Sequence, residues 1–191
     1  MSELRQLFRS VADNMARVAD SAYVDRVAAV IDLLDGTFRS GHKLLVFGNG
    51  GSAADAQHLV AELVGRFATE RRALPAIALT TNQALLTAWS NDYSFEDVFA
   101  RQVEALGAPG DVALGISTSG RSANVVNAMR RARELGLRTV GLTAEHGGPI
   151  NDVSDLVLAV PLTETARIQE VHLVTYHAIC AALEARIAGG S

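Results

Sequence analysis

The sequence has one cysteine, Cys180. No internal disulfide can form, and the chain fits a reducing compartment. The neighbours Ala178, Ile179, Ala181 and Ala182 are apolar, so Cys180 reads as a buried, inert thiol and not a nucleophile. An excess of positive charge is also missing. Seventeen Lys and Arg against 21 Asp and Glu give a net charge of −4, which argues against a broad electrostatic grip on nucleic acid. No apolar run approaches the roughly 20 residues that span a bilayer. The N-terminal segment lacks the apolar core of a signal peptide. A soluble, cytoplasmic protein with neither membrane nor nucleic-acid partners is expected. Repeats, low-complexity tracts and linkers are absent too. The 191 residues, 49% of them hydrophobic, suffice for one domain with a substantial core.

What is present is a change of pattern near residue 41. Before it, Leu4, Leu7, Phe8, Val11, Met15 and Val18 recur at helical spacing, as do Val24, Val27, Ile31 and Leu34. This predicts two helices that break at Asp20-Ser21 and stop near Gly36 or Gly41. They are too short for a separate domain and should pack on the sheet or on a partner subunit. After it, apolar runs at 43–47, 76–79, 112–116, 139–142 and 156–160 alternate with helical patterns over 52–66, 82–106, 121–135 and 164–187. Near-continuous apolar strands alternating with helices predict a parallel sheet covered on both faces, a three-layer α/β sandwich. Such sheets bind ligands beyond the carboxyl ends of their strands, where strand order reverses.

Two loops carry the chemistry. The first is Gly48-Asn49-Gly50-Gly51-Ser52, a glycine turn opening a helix. Its backbone N–H groups can approach a polar ligand. Gly48, Gly50 and Ala53 fit the dinucleotide pattern G-x-G-x-x-A. That pattern also needs an acidic residue at the end of the second strand, which here reads Leu79-Thr80-Thr81-Asn82. A nicotinamide cofactor is therefore not expected. The second loop is Ser117-Thr118-Ser119-Gly120-Arg121-Ser122. Hydroxyls and N–H groups at a helix N-terminus suit a phosphate, whereas a simple cap needs only one hydroxyl. Asn91-Asp92 is either an Asx turn or a ligand contact. Asp111 reads as an ordinary turn residue, and His42 and His146 as solvated.

His58 and Glu62 are four residues apart and share a helix face. In the last helix, Gln169 and His177 are separated by about 80° around the axis and about 12 Å along it. His172 points to another flank, where it supports the fold. A metal reading joins His58, Glu62, Gln169 and His177, with zinc the first choice for two imidazoles and a carboxylate. Without a metal, Glu62 and His177 still form an acid/base pair.

Taken together, Gly48-Asn49-Gly50-Gly51-Ser52, Ser117-Thr118-Ser119-Gly120-x-Ser122 and Arg167-Ile168-Gln169-Glu170-x-His172 resemble the SIS (sugar isomerase) domain family over nearly the whole chain. The resemblance implies a flavodoxin-like five-stranded parallel sheet and a homotetramer with sites at subunit interfaces. It also implies conversion of a phosphorylated seven-carbon sugar, D-sedoheptulose 7-phosphate, to D-glycero-D-manno-heptose 7-phosphate. By the family pattern, Ser117, Thr118, Ser119 and Ser122 hold the phosphate. Asn49, Gly50, Gly51, Asn91 and Asp92 line the sugar, which Glu62 and Gln169 also touch. Zinc falls on His58, Glu62, Gln169 and His177, and the catalytic pair is Glu62 and His177. The alternative is a non-catalytic sugar-phosphate sensor, or the family member that associates with the bacterial replication initiator. That protein shares the first loop but lacks the glutamate and final histidine kept here as Glu62 and His177. Arg121 stands where relatives often have Asn, which leaves open whether it meets phosphate or solvent.

Overall fold

Residues 2–188 are described in the structure, a computed structural model. Two helices come first, α1 (Ser2–Ala19) and α2 (Tyr23–Arg39). Ser21 makes the break: its hydroxyl donates to the Val18 carbonyl at 2.7 Å and accepts from the Tyr23 N–H at 3.2 Å. The strands are β1 (Leu44–Gly48), β2 (Ala76–Ala78), β3 (Val112–Ile116), β4 (Arg138–Ala144) and β5 (Leu156–Val160). Helix α3 (Gly51–Val64) follows β1, α4 (Gln83–Asp92) and α5 (Val98–Leu106) follow β2, α6 (Ala123–Glu134) follows β3, and α7 (Thr165–Ala188) ends the described chain.

All neighbouring strands are parallel, in the order β2-β1-β3-β4-β5. This is the flavodoxin-like order, and it reverses between β1 and β3. The Gly48–Ser52 turn and the 117–122 loop therefore leave the sheet on either side of the switch point. Alternate strand residues serve opposite cores. Leu44 and Val46 pack with Val30, Leu34, Leu59 and Leu183 from α2, α3 and α7. Leu45 and Phe47 pack with Phe99, Val103 and Met129 from α5 and α6. Burial on both faces is why the strands read as unbroken apolar runs. Helix α1 contributes little to either core: Val18 is its one buried residue, while Leu4, Leu7 and Phe8 stay exposed.

Two expectations need correction. The helical pattern over 82–106 is not one helix. Ser94 is extended (φ −151°, ψ 139°) and its hydroxyl accepts the Glu96 N–H at 3.0 Å, starting a 3-10 turn over Phe95–Asp97 that leads into α5. A serine cap is a restart signal that outweighs the continuing apolar period. Asp111 is not an ordinary turn residue either. It is 1% exposed and accepts from the backbone N–H of Lys43 at 2.9 Å and of Ala108 at 2.8 Å, and from the Lys43 ammonium. Burial pushes its carboxyl up, but Lys43 and the backbone donors hold it below the usual carboxylate range. It ties the entries of β1 and β3 together at the N-terminal ends of the strands, away from the loops. Among the described residues, no helix is long and apolar enough to cross a membrane.

Candidate active site

The first turn and the serine loop are pressed close together. A Cβ on Gly48 would stand 2.8 Å from Ser52 Cβ and 2.9 Å from the Ile116 carbonyl, so only glycine fits. Gly120, at φ +64°, would put a Cβ 1.4 Å from the Gly147 carbonyl oxygen. Within the serine loop, the Ser117 hydroxyl lies 3.0 Å from that of Ser122 and 3.5 Å from that of Ser119. The Arg121 N–H donates to Ser119 Oγ at 3.2 Å. Ser122 occupies the N-cap position of α6, yet its side chain makes no cap hydrogen bond. Its hydroxyl turns instead to that of Ser117 within the loop. Thr118 is half-buried, Ser119 is exposed, and the exposed Arg121 side chain lies over Gly148.

Helices α3 and α7 bring the titratable groups together. His58 Nε2 is 3.0 Å from Glu62 Oε1. The His177 ring stands edge-on to the His58 ring, 5.1 Å between centroids. One ligand atom from each of His58, Glu62 and His177 lies within 4.8 Å of the other two. Nitrogen and oxygen ligands sit about 2.0–2.2 Å from zinc, so donors on one tetrahedral ion are about 3.3–3.6 Å apart. The 4.8 Å limit on the trio exceeds this spacing by little more than 1 Å, and two imidazoles with a carboxylate are a donor set that fits zinc. Gln169 lies on α7 with His177, and its amide crowds the first turn: a Cβ on Gly51 would be 2.6 Å from Gln169 Nε2.

Several neighbours of this trio carry no sequence motif. The Tyr176 hydroxyl is 3.0 Å from His58 Nδ1 and 3.5 Å from Asp55 Oδ1. Asp55, His58 and Glu62 fall at i, i+3 and i+7 of α3, a spacing that could have revealed Asp55. Burial raises the Asp55 carboxyl, against the opposing pull of Tyr176 and His58. Burial also raises the Tyr176 phenol, helped by the Asp55 charge. Below the trio, Phe67 packs on His177 with centroids 5.3 Å apart. Its loop is held by Glu184, which is 3% exposed and accepts from the N–H groups of Phe67 at 2.7 Å, Ala68 at 2.9 Å and Thr69 at 3.0 Å. Arg71 pairs with Glu184 at 3.4 Å and donates to the Glu62 carbonyl at 2.6 Å. Cys180 is 1% exposed, and burial pushes its thiol up to about 12, as expected of an inert thiol.

Asn49 has an unexpected partner. Its amide donates to Asn124 Oδ1 at 2.8 Å, and the Asn124 amide donates back to Asn49 Oδ1 at 2.9 Å. Asn124 is 3% exposed and sits in the first turn of α6. The pair bolts the first turn to the helix that the serine loop opens. Asn91 and Asp92 bond each other at 2.9 Å. They sit on α4, which buries none of its residues. A cavity of about 590 Å³ over α5 and α6, lined by Trp89, Arg101, Asn127 and Arg131 among others, holds none of the expected site residues.

A hydroxyl-rich loop and a cluster of His58, Glu62 and His177 lie beyond the carboxyl ends of a parallel sheet at its switch point. The chain belongs to the SIS domain family, whose profile matches residues 6–144. Within that family it is 56% identical to a phosphoheptose isomerase of Crocosphaera subtropica, over 86% of this chain and 84% of the relative. It also superimposes on the phosphoheptose isomerase structures of Neisseria gonorrhoeae (TM-score 0.90, 40% identity, 96% of this chain and 98% of the other) and Francisella tularensis (TM-score 0.92, 35% identity, 96% and 97%). Among SIS proteins, the chain thus falls with the phosphoheptose isomerases.

Proposed function

We propose that this chain interconverts D-sedoheptulose 7-phosphate and D-glycero-D-manno-heptose 7-phosphate through an enediol. The observation that carries the reading is the convergence of Glu62, His177 and His58, with one ligand atom of each within 4.8 Å of the others. Many relatives named phosphoheptose isomerase favour a catalyst over a sugar-phosphate sensor.

The serine loop, with Ser117, Thr118, Ser119 and Ser122, grips the remote phosphate. That binding energy orients the reacting end of the sugar. Gly50 and Gly51 line the sugar beneath Gln169. One member of the Glu62–His177 pair removes the C1 proton as the ketose oxygen on C2 gains one, giving the C1–C2 enediol. A proton then returns to C2 while the C1 hydroxyl loses its own, so atoms and charge balance. Each transfer needs a positioned acid or base. Zinc held by His58, Glu62, Gln169 and His177 would polarise the two substrate oxygens. The Glu184-anchored loop keeps Phe67 on His177 and limits where that imidazole can swing.

Chemistry of this kind needs a site closed to water. In one protomer His58 keeps 43% of its side chain exposed and Glu62 22%. Leu173 and Val174, one turn before His177, are exposed apolar residues. A groove of about 350 Å³ lined by Met15, Val18, Val27, Val171 and Val174 runs beside them. Further copies of the chain, in a homotetramer, would cover these surfaces, and α4 with Asn91 and Asp92 would complete a site across an interface. A cytoplasmic location belongs to the same proposal.

The test is incubation of the purified protein with sedoheptulose 7-phosphate, with and without chelator, followed by product analysis. Formation of the aldoheptose phosphate is expected. Its absence under both conditions refutes the reading.

A further inference from the structure

Tyr176 stands between a candidate metal ligand and a carboxylate, and its single proton must serve both. The side chain is 1% exposed. Its hydroxyl is 3.0 Å from His58 Nδ1 and 3.5 Å from Asp55 Oδ1. The far nitrogen of the same imidazole, Nε2, is 3.0 Å from Glu62 Oε1. A phenol has one proton to donate, a neutral imidazole has one N–H and one bare nitrogen, and a carboxylate only accepts.

With a neutral imidazole, two proton arrangements are open to these groups. In the first, the phenol donates to His58 Nδ1 and the Nε2–H donates to Glu62. In the second, the phenol donates to Asp55, His58 donates its Nδ1–H to the phenol oxygen, and Nε2 is bare. The second sets a nitrogen lone pair against a carboxylate oxygen at 3.0 Å, which is repulsive unless a cation lies between them. A divalent cation at His58, Glu62 and His177 removes that repulsion and requires a bare Nε2. The cation therefore selects the second arrangement, and without a cation the first is favoured.

We propose that Tyr176 and Asp55 are positioning residues. The Tyr176 hydroxyl turns from His58 to Asp55 when a divalent cation is held, fixing the His58 tautomer that presents Nε2 to the ion. This rests on the metal-binding reading of the trio. The exchange moves one imidazole proton from Nε2 to Nδ1 and rotates one O–H bond, so the number of protons is unchanged. Asp55 is what makes it workable. Without a second acceptor, the buried phenol would keep donating to Nδ1 and oppose the tautomer the ion needs.

The test titrates the metal-free full chain with zinc against a chromophoric chelator. Loss of an outer hydrogen-bond partner of a metal-binding histidine typically weakens metal affinity about 10–100-fold. Tyr176→Phe keeps the buried ring and removes only the hydroxyl, and Asp55→Ala removes the second acceptor. Each should weaken zinc binding by about 10–100-fold. Asp55→Asn, whose amide oxygen still accepts from the phenol, should stay near wild type. The double variant Tyr176→Phe/Asp55→Ala should bind no more weakly than Tyr176→Phe alone. Wild-type affinity in folded Tyr176→Phe overturns the inference and leaves the metal reading intact, whereas a wild-type protein that binds no zinc overturns both. Imidazole 15N spectra of the unmutated chain give a check that does not depend on variants folding. His58 should carry its proton on Nε2 before zinc and on Nδ1 after it, and an unchanged tautomer refutes the proposal.

Discussion

Replacing Glu184 by glutamine should loosen the Phe67–Thr69 loop with almost no change in volume. The carboxylate accepts from three consecutive N–H groups, those of Phe67, Ala68 and Thr69, and from the Thr69 hydroxyl at 3.2 Å. It also faces Arg71, whose side chain is 1% exposed. An amide nitrogen does least harm on the Phe67 side, where it strands one buried N–H and meets the Arg71 guanidinium. Stranding the Phe67 N–H costs about 1–3 kcal/mol, and the two remaining backbone bonds, from Ala68 and Thr69, each lose roughly 1 kcal/mol of charge assistance. The total is roughly 3–5 kcal/mol, the range found when one partner of a buried ion pair is removed. At about 2–4 °C per kcal/mol for a domain of this size, Tm should fall by roughly 6–20 °C. Both proteins should be melted at the same protomer concentration, since assembly shifts Tm. The pH dependence gives a second reading. Burial raises the Glu184 carboxyl, but the backbone N–H groups of Ala68, Phe67 and Thr69 bring it below its ordinary value. Its contribution is present above the unfolded pKa of about 4.3 and is lost as pH falls through the lower folded value. The gap between the two proteins should therefore narrow in acid. A Tm within 2 °C of wild type at neutral pH, by the arithmetic above, would refute the clamp.

Other consequences can be measured in the same way. Asn49→Ala and Asn124→Ala should each raise KM, with the double variant little worse than either single one, because both break one reciprocal pair; additive losses would mean that the two amides act separately. His172 is wholly buried, and burial lowers its imidazole to about 4. Unfolding releases that suppression, so the protein should lose about 3 kcal/mol between pH 6.5 and 4; urea midpoints of wild type and His172→Gln that fall in parallel over this range would contradict it. Tyr176→Phe should weaken zinc binding by about 10–100-fold, as argued above.

How much of this was legible in the sequence follows physical lines. Strand positions and the parallel sheet were readable because burial on both faces writes continuous apolar runs. The two loops were readable because each concentrates its special residues within six positions or fewer. His58 and Glu62 were readable because helix geometry alone places them on one face. The supporting residues were hidden because their partners are remote. Asn49 and Asn124 are 75 residues apart, His58 and Tyr176 are 118 apart, and Phe67 and Glu184 are 117 apart. Asp111 looked like a turn residue because nothing local announces that Lys43 of another strand entry will bury it. The break between α4 and α5 was different: Ser94 offered a local cap signal, which the surrounding apolar period masked.

The central claim is that Glu62 and His177 move the protons. The most direct test is steady-state turnover of sedoheptulose 7-phosphate by Glu62→Gln and His177→Gln, with substrate affinity measured separately for each. The account predicts that kcat falls by about 10²–10⁴-fold in both, the usual worth of a positioned acid or base, while the phosphate-sugar still binds. Near-wild-type kcat in either variant would contradict it.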